Sequence, residues 1–426
     1  MLKEITIFNF KSFNKEQTFT MEAAPKTEIS EFYDDHVLKF KNNHLLKVSS
    51  FYGPNGGGKT SLLQAISLLK QVAISGYRRS FRQSNIAPYG PSIFSNSKTI
   101  SITAFFVNAK YEFGYSVSFQ FATKEISDGD FERKVSITVI EKEEFSCKNL
   151  ATGVEDTLYS RKGNILTSNI LNELDIFKTK GLISPTISVL SYIANNFYGL
   201  PNARKIKSNL DDRVLGLIDE FNSILFLPGM GDIDTSYYPY RFEYRRYKSP
   251  ILNHKETLIN LMRNADLEID DIEYIEEDEK IEINFVINGK RLPLEINSKG
   301  TKKYFAYITR ILEAKGNIII ADDFDANLHP KITRAIIEFF NSKNNKTNQF
   351  IFNSHDIINM DNKLFRRDEI WFAYRNDEKT TIITPLSNIV DFQGKQIRKD
   401  AVYGKQYLEG KYGGDPFVEK GLKWGN

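Results

Sequence analysis

Lys59 and Thr60 close the run Gly53-Pro54-Asn55-Gly56-Gly57-Gly58-Lys59-Thr60: a glycine, four residues, then Gly-Lys-Thr, with Ser61 next. That spacing suits a polyphosphate. The glycines let the backbone curl until its N–H groups point inward, and the start of a helix adds partial positive charge. A lysine there reaches the β- and γ-phosphates, and a threonine hydroxyl sits on Mg²⁺. An accidental glycine-rich turn is the bland alternative, and the flanks tell against it. Leu45, Leu46, Val48 and Phe51 make a strand-like run before the loop, and Leu62, Leu63, Ala65, Ile66, Leu68 and Leu69 make a helix-like run after it.

Ile318-Ile319-Ile320-Ala321-Asp322-Asp323 reads as a buried strand ending in two carboxylates. In a phosphate-loop enzyme that strand is expected beside the loop. Asp322 would then hold Mg²⁺, directly or through water, and Asp323 would orient or deprotonate the attacking water. The alternative is a strand end running into an acidic turn, but Lys59-Thr60 already demands a metal partner. Gln349-Phe350-Ile351-Phe352-Asn353 is a further strand, closed by Ser354-His355-Asp356. In a parallel sheet His355 would lie near a γ-phosphate, able to hydrogen-bond it or the water; a packing role is the alternative. Ser298-Lys299-Gly300-Thr301 precedes Tyr304, Phe305, Ile308, Ile311 and Leu312 at helical spacing. Ser298 and Gly300 thus stand at a helix start, which is either a second anion site or a simple cap.

The elements that must position these residues are partly visible. The 426 residues are 41% hydrophobic and carry a net charge of +3. That length corresponds to about two to three domain-sized units, and the balanced charge excludes a strong overall pull toward nucleic acid. One cysteine, Cys147, excludes an intrachain disulfide and fits a reducing, cytoplasmic setting. Met1-Leu2-Lys3-Glu4 predicts no apolar leader, and no apolar run is long enough for a membrane span. Ile5 and Ile7, residues 99–107, the alternation from Tyr111 to Phe121, and Val135, Ile137 and Val139 predict an antiparallel sheet beside the loop. Ile281 to Ile287, Asn288-Gly289 and Leu292 predict a hairpin. The helix after Pro330 is expected to turn Ile332, Ala335, Ile336 and Phe339 to one face. Ile370–Tyr374 and Thr381–Ile383 predict a last strand pair.

The expected units are an N-terminal lobe at 1–140, a mostly helical insertion at 141–279, a C-terminal lobe at 280–390 and a tail at 391–426. Within the insertion, Leu217-Ile218-Asp219-Glu220 imitates a metal-binding strand end. Leu215, Ile218, Phe221 and Leu225 recur at helical spacing after Asp211-Asp212, so an amphipathic helix is expected instead. Tyr240, Arg241, Tyr244, Arg245, Arg246, Tyr247 and Lys248 are basic and aromatic and could hold nucleic acid by charge and stacking, although a solvated strand or a partner-binding edge is the simpler reading. Arg78, Arg79 and Arg82 share that ambiguity.

Asn9-Phe10-Lys11-Ser12-Phe13, the loop at 53–60, Ser298-Lys299-Gly300-Thr301, Asp322-Asp323 with Leu328-His329-Pro330, and Ser354-His355-Asp356 fall in a familiar order. In this the chain resembles ABC-type ATPases of the SMC, RecF and OLD kind, over roughly 1–125 and 280–426. It looks most like the smaller prokaryotic abortive-infection ATPases of the AbiL or RloA type, whose end is similar to Tyr407-Leu408-Glu409-Gly410-Lys411-Tyr412-Gly413-Gly414. The resemblance implies an α/β fold: an ABC/SMC-like ATPase head with an antiparallel β subdomain. It implies ATP and Mg²⁺ as cofactors, and a homodimer or higher oligomer with each ATP between the Lys59 loop of one head and Ser298-Lys299-Gly300 of the other. It also implies a role as sensor or scaffold in anti-phage defence, controlling a separate effector such as a TOPRIM-type nuclease. Only 71 residues follow His355, too few for a nuclease domain of roughly 100 residues within this chain. Asp323 replaces the usual glutamate, which predicts slow turnover, and Asn297-Ser298-Lys299-Gly300 replaces Leu-Ser-Gly-Gly. Gln83 or Gln64 is the candidate for the glutamine that such ATPases direct to Mg²⁺. A DNA-repair or chromosome-maintenance ATPase and a transporter-energising ATPase are the other functions considered.

Overall fold

In a computed structural model the described residues are 1–24, 31–76, 78–81, 89–128, 131–168, 170, 184–195, 211–227, 244–265, 267–277, 280–390 and 394–412. The sheet that carries the phosphate loop runs in the order β12 (Ile224–Phe226), β16 (Ile318–Ala321), β17 (Gln349–Asn353), β5 (Val48–Tyr52), β18 (Ile370–Arg375) and β19 (Thr381–Pro385). All neighbours are parallel except β18 and β19. A parallel sheet is covered on both faces, so its strands read as continuous apolar runs. Ile318, Ile319, Ile320 and Ala321 are all fully buried. Ile318 and Ile320 join one core with Phe51 and the helix α1 (Lys59–Lys70), while Ile319 and Ala321 join a second core with Phe350, Phe352 and Phe372. The period of two therefore deals alternate side chains to opposite faces.

The first core is closed by an antiparallel sheet in the order β11 (Ile165–Ser168), β10 (Glu155–Lys162), β9 (Phe131–Asn149), β8 (Tyr111–Asp128), β7 (Ile100–Val107), β1 (Leu2–Phe8) and β2 (Gln17–Thr20), with β6 (Arg78–Phe81) paired to β9. This is the sheet expected beside the loop, and it extends further than the alternation suggests. Beneath it lie α2 (Val189–Ile193) and α3 (Asp212–Asn222), the latter capped by Asp211, whose side chain accepts from the Arg213 N–H at 2.9 Å. The metal-strand mimic at 217–220 is thus helical, although Leu225 has left that helix and lies in β12.

The second core is closed by α4 (Lys248–Asn264), the sheet β13 (Asp271–Glu277), β14 (Lys280–Ile287) and β15 (Lys290–Pro293), α5 (Lys299–Glu313), α6 (Pro330–Asn341) and α7 (Tyr403–Leu408). A small hairpin of β3 (Val37–Phe40) and β4 (Asn43–Leu46) leads into β5. Asn288 and Gly289 turn the β14–β15 hairpin with φ of 50° and 72°, the positive values such a two-residue turn needs. No helix among the described residues is long and apolar enough to cross a membrane.

Two expectations need correction. The described residues of 141–279 are not a mostly helical insertion. Position 141 falls inside β9, position 280 opens β14, and the stretch supplies β10, β11, β13 and β12, an edge strand of the phosphate-loop sheet. The misreading came from charge. Glu143 looks like a solvent residue but is buried, accepting from the Tyr159 hydroxyl at 2.9 Å and from the Val189 N–H at 2.9 Å. Second, α6 buries Thr333, Ile336, Ile337 and Phe340, while Phe339 and Ala335 face out. Phe340 stacks on Phe350 with ring centres 4.6 Å apart, and that contact rotates the stripe by one position. The acidic strand does end beside the loop as expected, although β17 runs between β16 and β5.

Candidate nucleotide site

The turn from Gly53 to Gly58 joins β5 to α1. Gly53, Gly56 and Gly58 have φ of 143°, 76° and 110°, a region in which side chains are disfavoured. Gly57 answers to space instead: a Cβ there would come within 2.4 Å of the Ala373 carbonyl oxygen of β18. The start of β19 braces the same loop. The Thr381 hydroxyl lies 3.0 Å from the Gly57 carbonyl oxygen and 2.7 Å from the Ser12 hydroxyl. The Asn9–Phe13 motif is in this way fastened to the phosphate loop.

Lys59 is 5% exposed and folds over the loop, its ammonium donating to the carbonyls of Gly53 at 2.8 Å and Pro54 at 3.1 Å. Burial lowers its pKa, against the raising influence of Asp323, Asp322 and Asp325. Thr60 points the other way, donating to Asp322 Oδ1 at 2.9 Å. Asn353, at the end of β17, joins them. Its amide donates to the same Asp322 oxygen and to Thr60 Oγ1 at 3.3 Å, and its Oδ1 accepts the Asp323 N–H. The intervening strand therefore bridges the loop and the acids, which is why β16 need not adjoin β5. Burial raises the pKa of Asp322, while hydrogen bonds from Asn353 and Thr60 pull it back down.

A hydroxyl and a carboxylate in contact are hard oxygen donors of the kind Mg²⁺ takes, with phosphate and water filling its remaining positions. Among the described residues no three of His, Cys, Asp and Glu gather into a metal cage. Mg²⁺ at phosphate sites needs only one or two carboxylates, so Thr60 and Asp322 fit it. Ser61 is half-buried in the first turn of α1.

Asp323 is exposed and left-handed, with φ of 46°. Its carbonyl accepts from Lys303 Nζ at 2.7 Å. His355 is exposed, and its N–H donates to Asp325 Oδ1 at 3.1 Å. Ser298 accepts from the Thr301 N–H at 3.0 Å, an ordinary N-cap of α5; Lys299 is exposed. Gly300 packs so tightly that a Cβ would meet the Asn327 carbonyl oxygen at 2.4 Å. A cleft of about 470 Å³ flanks the loop, lined by Tyr52, Gly53, Pro54, Asn55, Ser354, His355, Ile357, Tyr407 and Leu408. It includes His355 but not Ser298, Lys299 or Gly300.

Four contributors escaped the motif reading: Asn353, Lys303, Thr381 and the Tyr407–Leu408 wall. Asn353 did leave a trace, as a polar residue closing an apolar strand. Gln64 accepts from the Lys11 ammonium, and Gln83 lies outside the described residues. Of the basic stretch, Tyr240 and Arg241 also lie outside them. Tyr247 is buried against Phe305 and so is not free to stack on a base, while the exposed Lys248 pairs with Glu276 at 2.6 Å. Arg82 is outside the described residues as well.

Residues 48–361 match the family described as "AAA domain, putative AbiEii toxin, Type IV TA system". The chain belongs to this family. The match spans the phosphate loop, α5, both acids and His355. The family match and the strand order together describe an α/β chain with an AAA-type phosphate-loop domain. Similar solved structures include the SMC head domain from Thermotoga maritima, at 15% identity with a TM-score of 0.37, covering 90% of this chain and 98% of that one. An Smc head bound to the C-terminal winged-helix domain of ScpA matches at 15% identity and 0.39, covering 90% and 96%. A Pyrococcus furiosus Smc head, bound to the C-terminal domain of ScpA, matches at 12% and 0.37, covering 90% and 95%. No protein of curated function matches the chain.

Proposed function

We propose that the chain binds MgATP at residues 53–61 with Asp322 and hydrolyses it, and that ATP draws two heads together. The observation that carries this reading is the junction of Thr60, Asp322 and Asn353 below a loop closed by Lys59. Lys59 leaves the two carbonyls to meet the β- and γ-phosphates, Thr60 and Asp322 hold Mg²⁺, and bound Mg²⁺ offsets the phosphate charge. Asp323 orients the attacking water from its exposed turn, and His355 bonds the terminal phosphate from the rim of the cleft. Ser298 and Lys299 face solvent, and with the half-buried Gly300 they serve the nucleotide of a second copy. ADP lacks the phosphate that would bridge the heads, so hydrolysis lets them part.

The family description, with its toxin–antitoxin wording, supports a place in abortive infection. The chain is then the ATPase sensor or scaffold of an AbiL- or RloA-like system, and a separate TOPRIM-type nuclease is the effector. A DNA-repair role would need a basic surface, and of the described basic stretch Tyr247 is buried in the core while Arg245 and Lys248 pair with Glu276. Lys59→Ala tests the site. Nucleotide binding, followed by calorimetry, is expected to fall below detection in that variant, and unchanged affinity would reject the loop assignment.

A further inference from the structure

The acid assigned to water is held by its backbone. Asp323 has φ of 46°, a region that most L-residues avoid and that aspartate tolerates better than most. Both ends of the residue are tied. Its N–H donates to Asn353 Oδ1, and its carbonyl accepts from Lys303 Nζ at 2.7 Å. The same ammonium reaches the Ala326 carbonyl at 2.9 Å and lies over the Tyr307 ring, 5.4 Å from its centre. Asp322, Asp323 and Asp325 all lie near enough to act on its charge, yet its hydrogen bonds go to main-chain carbonyls. Lys303 stands one turn into α5, the helix that Ser298 caps, and Gly300 of the first turn sits against the Asn327 carbonyl. The start of α5 therefore grips the 323–327 turn at two places.

We infer that Lys303 is a positioning residue for hydrolysis, fixing the peptide of Asp323 and tying that acid to the helix that carries Ser298, Lys299 and Gly300. The inference rests on the proposed ATPase reading. A single left-handed residue relaxes most easily by rotating its peptide. An ammonium bonded to that carbonyl and to the one at 326 opposes the rotation, so the carboxylate keeps one direction. Any shift of α5 as its N-terminus meets a phosphate is passed to Asp323 through the same bonds. One head's acid and the motif it offers to the other nucleotide then move as a unit.

The test compares the full chain with Lys303→Met, Lys303→Arg and Asp323→Asn, measuring steady-state ATP hydrolysis and the affinity for a fluorescent ATP analogue. Lys303→Met is expected to lower kcat by about tenfold to a hundredfold, with KM and analogue affinity changed by no more than about twofold. Lys303→Arg, which can still donate to both carbonyls, is expected to recover most of the loss. A kcat in Lys303→Met within about twofold of the parent overturns the inference, and so does a loss that Lys303→Arg fails to recover. If thermal unfolding shows Lys303→Met to be misfolded, Lys303→Gln is held to the same outcomes. Asp323→Asn reports on the reading beneath. Stalled turnover there, with normal turnover in Lys303→Met, removes the inference alone; normal turnover in Asp323→Asn removes both.

Discussion

Gly56 and Gly57 are neighbours that need to be glycine for different reasons. Gly57 has the Ala373 carbonyl in the space of a Cβ, 2.4 Å away, whereas Gly56 has nothing within 4 Å and only a positive φ of 76°. Gly57→Ala must push the loop off β18, and it is expected to weaken ATP binding by about tenfold or more, ~1.4 kcal/mol. Gly56→Ala meets only backbone strain of roughly 1–2 kcal/mol, which falls on stability before affinity. Calorimetric titration of both variants checks the order, and equal binding losses would show that the contact with Ala373 is not what shapes the loop. At this scale Lys59, Thr60 and Asp322 were legible, because the phosphate-loop spacing and an acid-ended apolar strand each encode a geometry locally. Asn353 was not, since its role depends on which strand lies between β5 and β16. Lys303 was not either: only the fold brings the start of α5 against residues 323–327.

Among the elements, the apolar strands were legible for the reason they exist. Ile318–Ala321 and Gln349–Asn353 are buried on both faces and leave an unbroken run. The antiparallel strands showed only where outward positions are polar. Where Glu143 and Arg161 turn inward the alternation is broken, and the pattern no longer shows a sheet. The face of α6 was misplaced by a single position, because Ala335 and Phe339 fit a helical stripe as well as Ile337 and Phe340 do. The two phenylalanines give a direct check. Phe340 is fully buried against Phe350, and Phe339 is 41% exposed. Phe340→Ala is expected to cost about 3–5 kcal/mol in denaturant unfolding, and Phe339→Ala to stay within about 0.5 kcal/mol. The reverse order would move the buried stripe.

The whole molecule places the nucleotide loop where two cores meet a single parallel sheet. The antiparallel sheet and α1 lie on one face, and α4 to α7 lie on the other. The start of α1 with Lys59 and the strand ends with Asp322 and Asn353 are thereby set by packing from both sides. The Ser298 turn, belonging to the second core, is left outward and away from the cleft that flanks the loop. On the proposed reading such a chain completes its nucleotide site only with a second copy, and that pairing is the central claim. Sedimentation velocity of the Asp323→Asn protein with Mg²⁺ tests it most directly, in ATP, in ADP and without nucleotide. The expected result is a particle of about twice the mass in ATP than in the other two conditions; one and the same particle in all three would contradict the account.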